Sequence, residues 1–384
     1  MNILFLSAWY PHRYDEMFGL FVQKHAQAVS KFCSVTVLYL HADKNSDRIY
    51  IEQKISGNLN EVIVYYPEKK FFLSKKIFHF VSFLKGYKTI IKSGFTPDII
   101  HAHILKGTGL FTFLLSKLLN IPYVISEHWS IYLPAKKAYD SLLQKKTEQY
   151  IFKHAFATIA VSRVLKDGMI DNGLNNTNFL IVNNVVDNVF HIHNEDDSRH
   201  SKVRFLHISC FDEKAKNITG ILKAARELFK TRNDFELVII GDGFDFKIVT
   251  DYAKALNFDD HQVSFLGTKS IEEVAHWYKK CDVVVLFSNY ETANIVIAES
   301  LVSGRPVIST NVGIASEYID KSNGIIVEAG NTDALMKAMN KMIDDISFYN
   351  KGEISSKFSN TFSFDNIGKQ LYDIYLSAVT TKTK

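Results

Sequence analysis

Short apolar runs alternate with longer amphipathic stretches along almost the whole chain. Residues 2–7, 35–39, 99–102, 123–126 and 158–161 are compact apolar runs, the pattern of strands buried on both faces. Residues 18–32, 108–119 and 142–153, which lie between them, are expected to be helices. This strand-then-helix rhythm builds a parallel sheet covered on both sides. It breaks in a polar stretch at residues 190–204, which includes HIHNEDDSRHSKVR and marks a domain boundary. The rhythm then restarts, with strands expected at 204–209, 236–241, 262–266, 282–287, 306–310 and 324–327. Their helices fall at 219–232, 271–280 and 333–345. The fold class is therefore α/β, with residues 1–190 and 191–365 as two parallel-sheet domains. Residues 366–384 are expected to form a helix or tail packing back on the first domain, frayed over residues 380–384. Open parallel sheets bind ligands beyond the C-terminal ends of their strands, so two facing sheets imply a cleft.

Composition sharpens this picture only at a few points. A length of 384 residues suits two domains, and 47% apolar residues with 22% charged suits a folded chain. The formal charge of +4, from 45 basic and 41 acidic residues, is too balanced for a protein that coats nucleic acid. Cys33, Cys210 and Cys281 lie far apart with no C-x-x-C spacing, which argues against a disulfide framework or cysteine zinc site and suits a reducing compartment. The longest stretch free of Asp, Glu, Lys and Arg, residues 172–186, is shorter than a bilayer span and rich in Asn. The N-terminal sequence MNILFL has no basic region or cleavage site, so a cytoplasmic location without a secretory signal is expected.

The densest chemical signal is SNYETANIVIAESL, which follows the apolar strand VVVLF and precedes VSGRPVI. A strand leading through a polar turn into a helix presents first-turn N–H groups and the positive end of a dipole, both suited to a diphosphate. Glu291 lies in the turn and Glu299 within the helix. Carboxylates are poor phosphate ligands but good acceptors for sugar hydroxyls. Taken alone, two glutamates eight residues apart are also the ordinary solvated charge of a helix.

The surrounding residues change that reading. E-x7-E, with SGRPVIST and NVGIASEYI after it, resembles the C-terminal domain of retaining glycosyltransferase family 4. SAWYPHRYDEMFGLFVQKHAQAV, PDIIHAH, IPYVISEHWS and NNVVD match further family segments in order, as do HISCFDEKAKNITGILKA, LVIIGDG and VSFLGTKSIEEVAHWYKKCDVVVLFS. The resemblance covers roughly residues 1–375. It implies the GT-B fold, two facing Rossmann-like domains with an interdomain cleft. It also implies transfer of a sugar from a nucleotide diphosphate sugar to an acceptor hydroxyl, with retention at the anomeric carbon and with neither cofactor nor metal. Without a metal, the departing diphosphate needs another source of charge stabilisation.

By the same resemblance, Lys216 pairs with the diphosphate, with Lys214 as its nearest rival. Asn294, Ile295 and Val296 present backbone N–H groups to the donor, Glu299 accepts the ribose hydroxyls, and Glu291 contacts the donor sugar. Gly267 lies beside the nucleobase, or is an ordinary turn glycine. Gly19 permits close approach to a phosphate, or simply starts a helix. His128 of SEHWS lies near the reacting sugar, with Glu127 and His103 orienting its loop. In a front-face retaining reaction the departing phosphate oxygen can take the acceptor proton, so no separate base is assigned. Two departures stand out. Ser209-Cys210 replaces the family's Gly-Arg, removing one cation, and Ala293-Asn294 replaces its Phe-Gly. Asparagine tolerates left-handed backbone angles better than other side chains, which preserves the turn.

Residues 69–92, from Lys69 through to Lys92, hold seven lysines, five phenylalanines and no acid. Lys75, Lys76, Lys85 and Lys88, with Phe78, Phe80, Val81, Phe83 and Leu84 between them, read as a basic amphipathic helix. Such a helix lies on anionic lipid, or covers a sheet with its lysines snorkelling outward. Lys136-Lys137 and Lys145-Lys146 lean toward the first use. No nucleic-acid recognition module accompanies the patch. The expectation is a glycosyltransferase building a cell-surface polysaccharide, glycolipid or lipid-linked glycan, peripheral on the cytoplasmic membrane face. The alternative is a non-catalytic GT-B subunit that binds nucleotide or supports a partner enzyme.

Overall fold

Two separate sheets carry the chain, and in the computed structural model residues 1–134, 136, 141–191, 201–259 and 261–382 are described. The internal contacts divide it into two units: Met1–Val185 joined by the C-terminal helix, and Val186–Ser363. The polar stretch expected at the boundary lies outside the described residues over 192–200.

The first unit's strands are β1 (Asn2–Ser7), β2 (Ser34–Asp43), β3 (Tyr50–Ser56), β4 (Leu59–Pro67), β5 (Ile99–His103), β6 (Tyr123–Glu127), β7 (Ala157–Ala160) and β8 (Phe179–Ile181). They lie in the order β3-β4-β2-β1-β5-β6-β7-β8. All pairs are parallel except β3–β4, an antiparallel hairpin at the edge. In β1, Ile3, Leu4 and Phe5 are wholly buried, which is why it sits centrally. Its register pairs Ser7 with both Tyr39 and His103, so the ends of β1 and β5 lie side by side where the strand order turns. The hairpin escapes the apolar-run pattern because β3 is mostly exposed and carries Glu52 and Lys54, charges that blunt a sheet edge.

The C-terminal helix, Phe364–Lys382, packs on Leu20–Ser30 of this unit. Ile367, Leu371, Tyr375 and Ala378 form its buried stripe. A Cβ on Gly368 would sit 2.3 Å from the Ala28 carbonyl oxygen, so glycine is needed for this approach. Lys31 pairs with Asp365 at 2.7 Å, and the Tyr375 hydroxyl lies 2.5 Å from His101 Nδ1. The helix extends to Lys382, into the stretch expected to fray, and residues 383–384 lie outside the described residues.

The second unit holds β9 (Val203–Ile208), β10 (Phe235–Ile240), β11 (Val263–Phe265), β12 (Val283–Leu286), β13 (Val307–Thr310) and β14 (Gly324–Val327). All are parallel, in the order β11-β10-β9-β12-β13-β14. Counted within the unit this is 3-2-1-4-5-6, the doubly wound dinucleotide-binding order. Its switch point falls between β9 and β12. Helices Ile218–Leu228 and Thr332–Asp344 bury apolar stripes against the sheet, the latter with Leu335, Ala338, Met339, Met342 and Ile343.

Candidate active site

At the C-terminal end of β9 the chain passes through Ser209 and Cys210 into a short helix, Glu213–Lys216. Asp212 caps it, accepting from Ala215 N at 3.2 Å. Asn217, left-handed at φ 51°, starts the next helix, whose first amides, Ile218 and Thr219, donate to the Glu213 carboxylate at 2.9 and 3.1 Å. From the end of β12, Asn289 N reaches the Ala215 carbonyl at 2.7 Å and Asn289 Nδ2 reaches that of Lys214 at 3.0 Å. These bonds lock the two loops together across the switch point. They bring Lys216 Nζ into an ion pair with Glu291 Oε1, their side chains 21% and 13% exposed. Ser288 Oγ also donates to Glu291 Oε1, at 3.0 Å. Lys214 contributes its carbonyl here, so Lys216 is the cation aimed at Glu291.

Asn294 takes the left-handed conformation, φ 58° and ψ 74°, and caps the helix Ile295–Val302. The position that usually needs glycine is thus filled by asparagine, and its Nδ2 is buried without a hydrogen-bond partner. Ile295 and Val296 are half-buried in the first turn. Glu299 lies farther along, accepting from the Tyr278 hydroxyl at 3.1 Å. Burial and the Glu299 charge hold the Tyr278 hydroxyl well above its ordinary pKa, so it stays a donor. Gly267 follows β11 at φ 66° in open space, which makes its backbone angle the constraint. Cys210 is exposed as a residue while its thiol is partly desolvated, and that desolvation outweighs the Lys216 charge in pushing its pKa up. It is no activated thiolate.

In the first unit, Leu105 N donates to Glu127 Oε1 at 2.6 Å and His128 N to Oε2 at 3.2 Å. The Glu127 carboxylate therefore ties together the loops after β5 and β6. Burial pushes its pKa up to about 7, against these amides and that of Trp129. His103 Nδ1 and His128 Nε2 lie 3.2 Å apart. Burial, then the neighbouring histidines, hold both rings neutral. Gly19 is left-handed at φ 68°, but a Cβ there would lie 2.5 Å from the Trp9 carbonyl carbon. A side chain at this position would collide with its own loop, so glycine is required here on steric grounds alone. Gly19, His128, Glu127 and His103 belong to the first unit; Lys216, Gly267, Glu291, Asn294 and Glu299 belong to the second.

Among the described residues, His25, His103 and His128 have ring nitrogens within 4.8 Å of one another, a set able to hold a transition metal. Sequence reasoning passed over three further features. Gly241 (φ 137°) would place a Cβ 1.8 Å from the Ser209 carbonyl oxygen, and Gly243 one 2.6 Å from Phe211 backbone. The motif GDG was the signal for both. Ile104 is left-handed at φ 65°, rare for a β-branched residue, and had no sequence signal.

Residues 21–190 match the family model described as Glycosyltransferase Family 4, and residues 190–354 the one described as Glycosyl transferases group 1. A glycosyltransferase of Methanocaldococcus jannaschii without assigned activity is 28% identical over 82% of this chain and 85% of its own length. Alpha-monoglucosyldiacylglycerol synthase of Streptococcus pneumoniae is 24% identical over 94% of this chain and 86% of its own. Among solved structures, sucrose-phosphate synthase of Thermosynechococcus elongatus superposes with a TM-score of 0.78 at 17% identity, covering 99% of this chain and 100% of that one. Anabaena HepE in complex with UDP gives 0.75 at 18%, covering 98% and 100%. The fold is GT-B: two parallel-sheet, Rossmann-like domains.

Proposed function

We propose that this chain, a glycosyltransferase of the family 4 type by the match of both its halves, moves a sugar from a nucleotide diphosphate donor to an acceptor hydroxyl with retention of configuration. The observation that carries the reading is the cluster at the β9–β12 switch point, with Lys216 on Glu291 beside the first turn of Ile295–Val302. A cation and a helix N-terminus together stabilise the negative charge that develops on a departing diphosphate. Glu291 and Glu299 then serve donor hydroxyls. The sugar's bond to the phosphate oxygen breaks, a bond to the acceptor oxygen forms on the same face, and the acceptor proton passes to the departing phosphate. UDP in the HepE structure supports a nucleotide donor by analogy of fold.

The test is transfer by the purified full chain with UDP-, GDP- and ADP-sugars, with NMR of the product's anomeric proton. The expected product keeps the donor's anomeric configuration, and EDTA leaves the rate unchanged. An inverted product refutes retention. Loss of rate in EDTA, restored by a transition metal, directs attention to His25, His103 and His128. Donor binding without transfer across an acceptor panel favours a non-catalytic subunit.

We further propose that the enzyme works on a membrane surface, as a peripheral protein of cell-surface glycan or glycolipid assembly. The helix Phe72–Lys92 buries Ser82, Phe83, Gly86 and Ile90, half-buries Phe78, His79 and Tyr87, and exposes Leu73, Ile77, Phe80, Leu84 and Phe72, the last at 71%. Beside it, Leu105–Leu119 exposes Leu110, Leu114 and Leu118, with Leu118 at 79%. Phe83 stacks on Phe111 at 4.2 Å, and Phe113 meets Tyr150 of Leu142–Lys153 at 5.6 Å, so the three helices are neighbours. The first two contain no acid, and Glu148, the acid of the third, is buried against Tyr132. Apolar side chains amid lysines make an interfacial face. Lys145 and Lys146 lie on the third helix, while Lys137 is outside the described residues. Among the described residues, no helix is long and apolar enough to cross a membrane. Reversing Lys75 and Lys76 to Glu lowers partition onto anionic liposomes by about 30-fold or more, at about 1 kcal/mol per lysine. Equal sedimentation with vesicles by wild type and variant removes the membrane from the reading.

A further inference from the structure

We propose that the acceptor is a membrane amphiphile whose hydrocarbon part occupies a cavity inside the first unit; this rests on the transfer reading above. The cavity, about 300 Å³, opens at the adjacent ends of β1 and β5, where the strand order turns and an open sheet takes its ligand. Trp9 and Trp129, edge to face at 5.4 Å, wall one part, and Leu40, Phe83 and Phe111 wall another. Its polar neighbours are already engaged within the protein. Ser7 Oγ donates to the Trp9 carbonyl at 2.5 Å, Thr108 Oγ1 to the Ile104 carbonyl at 2.7 Å, and His79 Nδ1 lies 3.1 Å from the Tyr66 hydroxyl. A bare saccharide needs many directed hydrogen bonds, and this lining offers few. A hydrocarbon chain needs none.

Lys106 supplies the one cation of the lining, its Nζ 5.2 Å from the Trp129 ring centroid. Lys106 and Gly107 break the helical angles at the start of Leu105–Leu119, with Gly107 at φ 103°. The same two aromatic side chains that wall the cavity, Phe83 and Phe111, come from the helices whose outer surfaces expose the lysine-flanked apolar face. A lipid entering from that face meets apolar walls first and an ammonium group beside them. The fitted ligand is therefore an acyl or isoprenoid amphiphile with a hydroxylated head.

The chain's three tryptophans make this testable, because Trp9 and Trp129 line the cavity and Trp277 lies in the other unit. In a Trp277→Phe background, a nitroxide-labelled stearate should quench emission saturably at one site per chain, with no donor present. Methyl, butyl, octyl and decyl glucosides below their micelle concentrations should displace it, with affinity rising about fourfold per buried methylene until the cavity is filled. Ala8→Phe and Leu40→Phe, each verified as folded by its melting curve, should weaken probe binding at least tenfold. Ala8→Phe should also lower the octyl-to-methyl ratio of kcat/KM in transfer. Unsaturable quenching, or equal probe affinity in both filled variants, overturns the proposal. So does an unchanged octyl-to-methyl ratio, which refutes the acceptor role even where lipid binds. Failure of the transfer reading is told apart, since the quenching titration contains no donor and requires no turnover.

Discussion

Replacing Lys216 by alanine should lower kcat at saturating donor about a hundred- to a thousand-fold, the loss expected on removing one preorganised stabilising group. The effect is large for two reasons. The ammonium is held by a capped short helix, a left-handed Asn217 and two bonds from Asn289, so its position costs nothing at the moment of reaction. On the proposed reading, Cys210 stands where the resemblance places an arginine, so the cationic role at the end of β9 falls to Lys216. Removing it further leaves Glu291 unneutralised next to the place of a second negative charge. Glu291→Gln should therefore be less harmful in the Lys216→Ala background than in wild type, a non-additivity expected for groups in contact. A loss below about threefold in Lys216→Ala would contradict the leaving-group role, since a preorganised donor contributes far more than that.

Acidification should unfold the first unit before the second. His25, His101, His103 and His128 are buried there, and His25 is pushed down to about 4 by burial. In the unfolded chain such rings take up protons near 6.5, while in the fold they stay neutral. The unfolded state thus binds more protons between pH 6.5 and about 4, and stability falls as pH falls through that window. His25 alone contributes a loss of about 3 kcal/mol by pH 4. Glu127 works in the other direction. Its folded pKa of about 7 exceeds the ordinary 4.5, so the fold gains on protonating it between those values; burial raises Glu148 in the same direction, and these two carboxyls oppose the larger group of buried histidines. In the second unit His207 makes the same kind of loss, also pushed down to about 4. Thermal melts at neutral pH and at pH 5, followed with Trp277→Phe for the first unit and with Trp9→Phe/Trp129→Phe for the second, should show the first unit's midpoint falling farther. Equal shifts would mean that the buried histidine cluster does not govern acid stability.

How much of this was legible beforehand follows from the range of each interaction. Apolar runs such as residues 2–7 and 282–287 declare buried parallel strands, because burial on both faces leaves no polar alternation. The β3–β4 hairpin did not declare itself, since its edge strand is polar and exposed. The terminal helix was expected from position, but its pairing with Leu20–Ser30 depends on a glycine at 368 that no local rule singles out. Glu291 and Glu299 were singled out by a motif spacing that the resemblance alone made distinctive. Their environment was not: the bond from Tyr278 to Glu299 and the pair between Glu291 and Lys216 arise where distant strands become neighbours. At Gly19 the requirement for glycine has a local cause as well, since a Cβ there would meet the backbone of Trp9 and Tyr10 in its own loop. The cavity beside β1 had no sequence signature, because its walls come from five separate segments.

The docking of Phe364–Lys382 onto the first unit also sets an order of assembly on the ribosome. The unit that emerges first lacks the helix covering Ala28 and His101 until the second unit has been translated, a wait on the order of ten seconds at ordinary elongation rates. During that interval the second unit can close on its own sheet, while the first keeps an open apolar seam along Leu20–Ser30. The part begun first is finished last, so nascent-chain chaperones should engage the N-terminal half longest.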